Sequence, residues 1–287
     1  MSKSLTVVVT GSNRGIGQGI IHLLVKTHHT SPLTIIATSR NGNDLGIEVS
    51  PPSSIQYAKL DISSSSSITS FFQSTPNIDV VINNAGVNNN NNETPELAAQ
   101  TISVNYKGTR DVCAAALSTT NGRLSRIVNV SSTACQLNNY DQSTQNKFRT
   151  VQSVQDVNAL ADTYIGAVRA GGAAQEQAGF GSPPMSYQVS KALINALTVV
   201  LARENPDVLV NCCCPGWVDT DMGHQVGRPP KTLEEGARIP VRLAVGEVEG
   251  GGDGDGGLGR KGGERVSGRY FANEGVKDRG WGRARAW

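Results

Sequence analysis

Tyr187 and Lys191 stand four residues apart in Tyr187-Gln188-Val189-Ser190-Lys191, at the head of a segment with helical patterning. The i to i+4 spacing puts a phenol and an ammonium on one helix face. A free tyrosine keeps its proton to about pH 10. A cation beside it favours the phenolate, so the proton is more easily given and taken near neutrality. Reversible reduction of a carbonyl needs such a group. Taken alone, the pair is a common helical coincidence. Its weight comes from what else the chain carries, and in what order.

The first such element is Thr10-Gly11-Ser12-Asn13-Arg14-Gly15-Ile16-Gly17. It joins an apolar, β-branched run (Leu5 to Thr10) to an amphipathic stretch (Gly15 to Lys26) with Ile16, Ile20, Leu23 and Leu24 as its stripe. Glycines there permit a tight turn and let backbone approach a pyrophosphate, while amides at the helix start face the phosphates. A dinucleotide is the expected ligand. The second strand ends Thr38-Ser39-Arg40, without the acid that holds a ribose 2′-hydroxyl. Arg14 and Arg40 could instead hold a 2′-phosphate, which favours NADPH; the alternative is that either points into solvent. Asp61, followed by Ile62, could accept from the adenine amino group or turn the chain before the serine run Ser63 to Ser67.

The elements that must position these groups alternate. Strands are expected at Leu5 to Thr10, Thr34 to Thr38, Ile55 to Lys59, Ile78 to Ile82, Arg126 to Val130, Val208 to Cys213 and Ser267 to Phe271. Helices are expected at Gly15 to Lys26, Pro95 to Leu117 and Ser186 to Arg203. Alternation of this kind predicts an α/β fold with a parallel sheet and helices on both faces. Strands apolar throughout fit a sheet covered on both sides.

Three segments interrupt the pattern: the asparagine run Asn88 to Asn92, a long polar insertion from about 136 to 182 with helical periodicity at Val154 to Ala170, and a glycine-dominated stretch from about 246 to 263. The first is expected as a surface loop and the last as a mobile one. Asp253, Asp255 and Glu264 have part of a calcium-loop spacing, but the intervening glycines and Leu258 make a solvated loop the better reading. No metal site is expected.

The 287 residues suffice for one large α/β domain, and one domain over 1–287 is expected. Net charge is +2 with mixed signs, giving no electrostatic case for nucleic acid or acidic membranes. No apolar run nears the roughly 20 residues of a membrane helix, and the first residues read as a strand rather than a signal peptide. Five cysteines, three of them consecutive (Cys212 to Cys214), are no disulfide framework, since strand neighbours face opposite ways. A reduced, cytoplasmic location is the expectation.

The glycine turn, Asn83-Asn84-Ala85-Gly86, Asn105, Ser131-Ser132, the Tyr187/Lys191 pair and Pro215-Gly216 follow one another in an order that resembles the short-chain dehydrogenase/reductase family, over roughly residues 5 to 245. Lys147-Phe148-Arg149 within the insertion, Cys213 to Met222, and Glu234-Glu235-Gly236-Ala237 resemble its monomeric NADPH-dependent carbonyl reductases. The resemblance implies a doubly wound Rossmann-type sheet. It implies Tyr187 as general acid, Lys191 lowering its pKa and holding the nicotinamide ribose, Ser132 polarising the carbonyl, and Asn105 holding a water that links Lys191 to solvent. It further implies that Asn83, Asn84, Ala85 and Gly86 line the adenine-ribose side and shore up the central sheet, and that Pro215, Gly216, Val218 and Thr220 lie against the nicotinamide. Hydride transfer from the pro-S face of the ring and a monomeric state follow from it as well.

At the carboxyl edge of the strands, Thr133, Ala134, Met185, Trp217 and Met222 are expected to border a substrate site beside Ser132. Trp and Met there predict a bulky apolar or aromatic carbonyl compound; Trp217 could equally be a packing anchor. Cys214 could be a functional thiol or a small buried residue, and His224 reads as an exposed polar residue. Two further functions are weighed: an alcohol dehydrogenase working oxidatively, and a catalytically silent NADP(H)-binding sensor or scaffold. The cellular NADPH pool, kept reduced, argues against the first. The presence of both Tyr187 and Lys191 argues against the second.

Overall fold

Runs of β-branched and apolar residues form strands, and amphipathic stretches between them cover both faces of the resulting sheet. The computed structural model describes residues 4–27, 29, 31–120, 122–246 and 266–287. The chain opens with β1 (Leu5–Thr10), α1 (Gly15–Lys26), β2 (Leu33–Ser39), β3 (Ser54–Lys59), α2 (Ser65–Ser74) and β4 (Val80–Asn83). It continues through α3 (Pro95–Ile102), α4 (Thr109–Thr119), β5 (Arg126–Val130), α5 (Gln142–Arg149), α6 (Val154–Ala170), α7 (Gly172–Gln177) and α8 (Ser186–Glu204). It ends with β6 (Leu209–Cys213), α9 (Asp221–His224), α10 (Leu233–Val245), β7 (Tyr270–Ala272) and β8 (Arg283–Arg285).

The strands form one eight-stranded sheet in the order β3-β2-β1-β4-β5-β6-β7-β8. All neighbours are parallel except β7 and β8. Val8 pairs with Ile36 on one side and Val81 on the other, so strand order reverses across β1. Such a reversal opens a crevice at the carboxyl ends of β1 and β4. One core contains Phe72, Ile102, Tyr164, Val189 and Leu197; the other, across the sheet, contains Ile20, Leu24, Ile35, Ile239 and Val241. The expected doubly wound α/β architecture is therefore present.

The expected helix over Pro95 to Leu117 is not uniform. Between α3 and α4 the segment Ser103–Gly108 takes π-helical geometry. Such a bulge re-aims the residues within it and is frequent at functional sites. Here it carries Asn105. A Cβ at Gly108 would stand 2.6 Å from the Ile62 carbonyl oxygen, so only glycine lets this helix approach the β3–α2 loop so closely.

The serine run leads into a helix: Ser64 caps α2 by accepting from the Ser67 amide, and Ile68, Phe71 and Phe72 bury its inner face. The last parallel strand lies later than Ser267 to Phe271, because Gly268 (φ 72°) breaks the extended conformation before Tyr270. The arginine-rich C-terminal segment supplies β8 as an antiparallel edge strand, and Trp287 packs against the core. Gly246 closes α10 in a left-handed conformation; the rest of the glycine-rich stretch and the calcium-like spacing lie outside the described residues.

The insertion folds as α5, α6 and α7. Ser153 and Asp156 form a capping box at the start of α6. Asn158 on α6 accepts from the Tyr106 hydroxyl at 2.7 Å and the Arg110 guanidinium at 2.8 Å, fastening the insertion to the helix that carries Asn105.

Candidate active site

The crevice is a cleft of about 560 Å³. Its floor begins at the glycine turn. Gly11 (φ 64°) and Gly15 (φ 56°) take left-handed conformations, and a Cβ at Gly11 would stand 2.9 Å from Ala85 Cα. Gly17 does not line the cleft: a Cβ there would meet the Gly11 carbonyl oxygen at 2.2 Å, so this glycine lets α1 pack on the turn. Asn84 locks the same turn, its Nδ2 donating to the carbonyl oxygens of Thr10 (3.0 Å) and Gly11 (3.1 Å).

Gly11, Asn13, Arg14, Gly15, Ile16, Arg40, Asp61, Ile62, Asn84, Ala85 and Gly86 all line the cleft, as do Tyr187, Lys191, Pro215 and Thr220. Both guanidiniums are thus at its outer end. Arg14 Nη1 is paired with Asp221 Oδ2 at 3.1 Å, and both side chains are mostly exposed (69% and 86%). Asp61 Oδ1 accepts from the Ser63 amide (2.9 Å) and hydroxyl (2.6 Å), which holds its carboxyl below the usual range. The turn-forming reading of Asp61 is therefore the one its hydrogen bonds show.

At the inner end, Tyr187 lies in the first turn of α8, and the Ser132 side chain is close enough to its hydroxyl to oppose the rise in its pKa. Ser132 stands two residues past the end of β5, and its Oγ accepts from the Ala134 amide at 3.1 Å. Lys191, one helical turn beyond Tyr187, is only 5% exposed. Its Nζ donates to the Val130 carbonyl oxygen at 2.8 Å and stands 5.5 Å from the centroid of the Tyr187 ring. Tyr187 and Lys191 thus meet the loop after β5 at one point of the cleft; Ser132 stands beside Tyr187 without lining the cleft, and Ser131, the serine weighed lower, lines it.

The electrostatics correct one expectation. A neighbouring ammonium predicts a phenol more acidic than usual, yet burial pushes Tyr187 up to about 12, with the Ser132 side chain opposing the rise. Burial also pulls Lys191 down to about 8. Desolvation is the largest cause of the Tyr187 shift, and the ammonium gives its hydrogen bond to Val130.

Asn105 sits behind Gly86 rather than in the cleft. Its Oδ1 accepts from the Val87 amide (2.8 Å), and its Nδ2 donates to the Val87 carbonyl oxygen (2.8 Å) and to Ser190 Oγ (3.0 Å). Ser190 in turn donates to the Tyr187 carbonyl oxygen at 2.7 Å. Val87 and Ser190 were not singled out in the sequence; a hydroxyl one residue before Lys191 was the only available signal.

The expected substrate wall is only partly assembled. Met222 lines the cleft. Met185 is 7% exposed and belongs to the core, so it does not line the cleft. Trp217 is half-buried, its Nε1 donating to the Gly223 carbonyl oxygen at 2.9 Å, as a packing anchor does. Thr133 is half-buried, and its amide donates to Cys214 Sγ at 3.2 Å. The Val218 side chain is buried against α10, where a Cβ on Gly236 would meet its Cγ2 at 2.5 Å; only its main chain is left for a ligand. Gly216 is backed by the Val276 carbonyl oxygen and Lys231 Nζ.

The consecutive cysteines alternate as strand neighbours should, Cys212 and Cys214 in one cluster and Cys213 in another. Among the described residues no group of three His, Cys, Asp or Glu could hold a metal, and no helix is long and apolar enough to cross a membrane.

The short chain dehydrogenase family model matches residues 5–144. Carbonyl reductase [NADPH] 1 of Mus musculus is 31% identical over 264 residues, covering 85% of this chain and 92% of its own. (+)-Neomenthol dehydrogenase of Arabidopsis thaliana is 32% identical over 285 residues, covering 83% and 90%. The structure of salutaridine reductase from Papaver somniferum superposes with a TM-score of 0.69 at 25% identity, covering 86% of this chain and 97% of that one.

Proposed function

We propose, for a chain that belongs to the short-chain dehydrogenase/reductase family and is an NADPH-dependent enzyme of it, that the reaction is reduction of a bulky, apolar or aromatic ketone or aldehyde, with Tyr187 as the general acid. The observation that carries this is that Tyr187 and Lys191 line the same cleft as the glycine turn, with Ser132 beside the phenol.

The residues present fit the cofactor. Left-handed Gly11 and Gly15, where side chains would fill the turn, leave a cradle for a pyrophosphate, with Asn13 and Ile16 beside it. Arg14 and Arg40 would hold the 2′-phosphate. Freeing Arg14 from Asp221 costs little, since exposed pairs are worth about 0–1 kcal/mol. Asp61 and Ile62 would border the adenine; Asn84, Ala85 and Gly86 the adjoining ribose; Pro215, Gly216, Thr220 and the Val218 main chain the nicotinamide. When bound, NADPH supplies the hydride.

The chain's own groups do the rest. Ser132 holds the substrate oxygen and stabilises negative charge developing on it. Tyr187, raised to about 12, keeps its proton at neutral pH and gives it to an alkoxide that is more basic than a phenolate. Lys191 keeps positive charge beside the phenolate that results. Reprotonation from solvent passes Lys191; with the Asn105 side chain committed to Val87 and Ser190, a water on this path would be held by its main chain. A raised phenol pKa favours reduction, because oxidation of an alcohol needs the phenolate first.

Relatives that pair through the helices bearing Asn105 and Tyr187 are the family rule, and here α6 packs over α3 and α8. We read this as a monomer; light scattering that gave a tight dimer at micromolar concentration would reject it. The reductase reading is tested by following NADPH absorbance with an activated ketone or a quinone. Turnover is expected; tight NADPH binding with no turnover across a broad carbonyl panel would favour a silent sensor.

A further inference from the structure

Helix α8 has no side-chain cap of its own: Met185 stands at its N-cap and makes no capping hydrogen bond. Its first amides would be orphaned. They are satisfied from the asparagine-rich loop instead. Glu93 Oε2 accepts from the Ser186 amide at 2.9 Å and Oε1 from the Met185 amide at 3.3 Å. Asn90 Oδ1 accepts from the Tyr187 amide at 3.0 Å and from Ser186 Oγ at 3.1 Å, while its Nδ2 donates to Gln188 Oε1 at 2.7 Å.

The loop is itself clamped at both ends. Asn105 grips both polar atoms of the Val87 backbone. Beyond Glu93, Thr94 caps α3 by accepting from the Leu97 amide, with Pro95 opening the helix. A closed circuit results: Asn105 to Val87, along the loop to Asn90, across to the Tyr187 amide, then through the Tyr187 carbonyl and Ser190 Oγ back to Asn105.

We propose that Asn90 and Glu93 are positioning residues for the reduction: a cap supplied in trans by the loop, which fixes the first turn of α8 and with it the Tyr187 hydroxyl against Ser132. This rests on the reductase reading above. The physical case has two parts. A negative carboxylate at a helix N-terminus is favourable and holds two amides at once. A general acid must also be fixed to a fraction of an ångström, and Tyr187 lies in the turn that frays most readily when uncapped. Neither side chain is among those lining the cleft, so neither is expected to touch NADPH.

The experiment compares wild type with Asn90→Ala, Glu93→Ala and Glu93→Gln. It reads kcat with an activated ketone, the NADPH dissociation constant by fluorescence titration, and deuterium exchange at the amides of residues 185–188. Each alanine variant should lower kcat at least about tenfold, leave NADPH affinity within about twofold and speed exchange at Ser186 and Tyr187. Glu93→Gln keeps an acceptor for the Ser186 amide and should regain most of the rate. Unchanged affinity also certifies that the variants are folded. An active wild type whose alanine variants keep kcat within about twofold, or show unaltered exchange, would overturn the brace alone. A wild type that binds NADPH and turns nothing over would overturn the reductase reading on which it rests.

Discussion

The two ends of the cleft are built from opposite materials. At the outer end, Arg14 and Asp221 face each other across the mouth while mostly exposed, and Arg40 stands exposed at the end of β2. At the inner end, Lys191 is almost wholly buried, and Tyr187, Ser190 and Asn105 are tied together by hydrogen bonds of 2.7–3.0 Å. Exposed charges attract and select a ligand through long-range, salt-screened forces. Buried ones are desolvated, so their pKa values move and their geometry is held. The outer end is thus suited to choosing the cofactor, and the inner end to chemistry.

Mutations should separate the two ends. The largest effect is expected from removing the buried cation: Lys191→Met should lower kcat by roughly 10²-fold or more, with stopped-flow or steady-state NADPH consumption as the check. In wild type the same group sets a pH dependence. Lys191 is charged below its pKa of about 8 and neutral above it, while Tyr187 at about 12 stays protonated throughout. The reductive kcat should therefore fall as pH rises through about 8; a flat profile to pH 10 would mean the ammonium is not needed.

At the outer end, Arg40→Asp should weaken NADPH about 10- to 100-fold while leaving NADH nearly unchanged, as loss of a charge-assisted phosphate contact predicts. An unaltered NADPH/NADH preference would break the division of labour. Smallest of all, Asp221→Ala should tighten NADPH by no more than a few fold, by freeing Arg14, and that gain should vanish in about 1 M salt.

What could be read along the chain was what depends on near neighbours. The glycine turn, the alternation of strands and helices, and the Tyr187/Lys191 spacing are local, and the doubly wound arrangement came from the family resemblance. Contacts between distant residues were not legible. Arg14 meets a partner 207 positions away, and Tyr187 receives its amide acceptor from a residue 97 positions earlier. The asparagine run looked like a solvated loop because composition is silent about which side chains turn inward. The direction of the Tyr187 shift was misjudged for a related reason: spacing reveals the nearby cation, whereas desolvation depends on everything packed around the ring. Met185 was placed at the substrate mouth by its position before the helix, and packing put it in the core. The serine run became α2 because Ile68, Phe71 and Phe72 bury one face, which outweighs the weak helix preference of serine.

The account turns on the proton donor at the inner end. Tyr187→Phe removes one oxygen and keeps the ring, so NADPH affinity should stay within about twofold while turnover of an activated ketone falls roughly 10²- to 10⁴-fold. Turnover equal to wild type in that variant would contradict the assignment of Tyr187 as the acid.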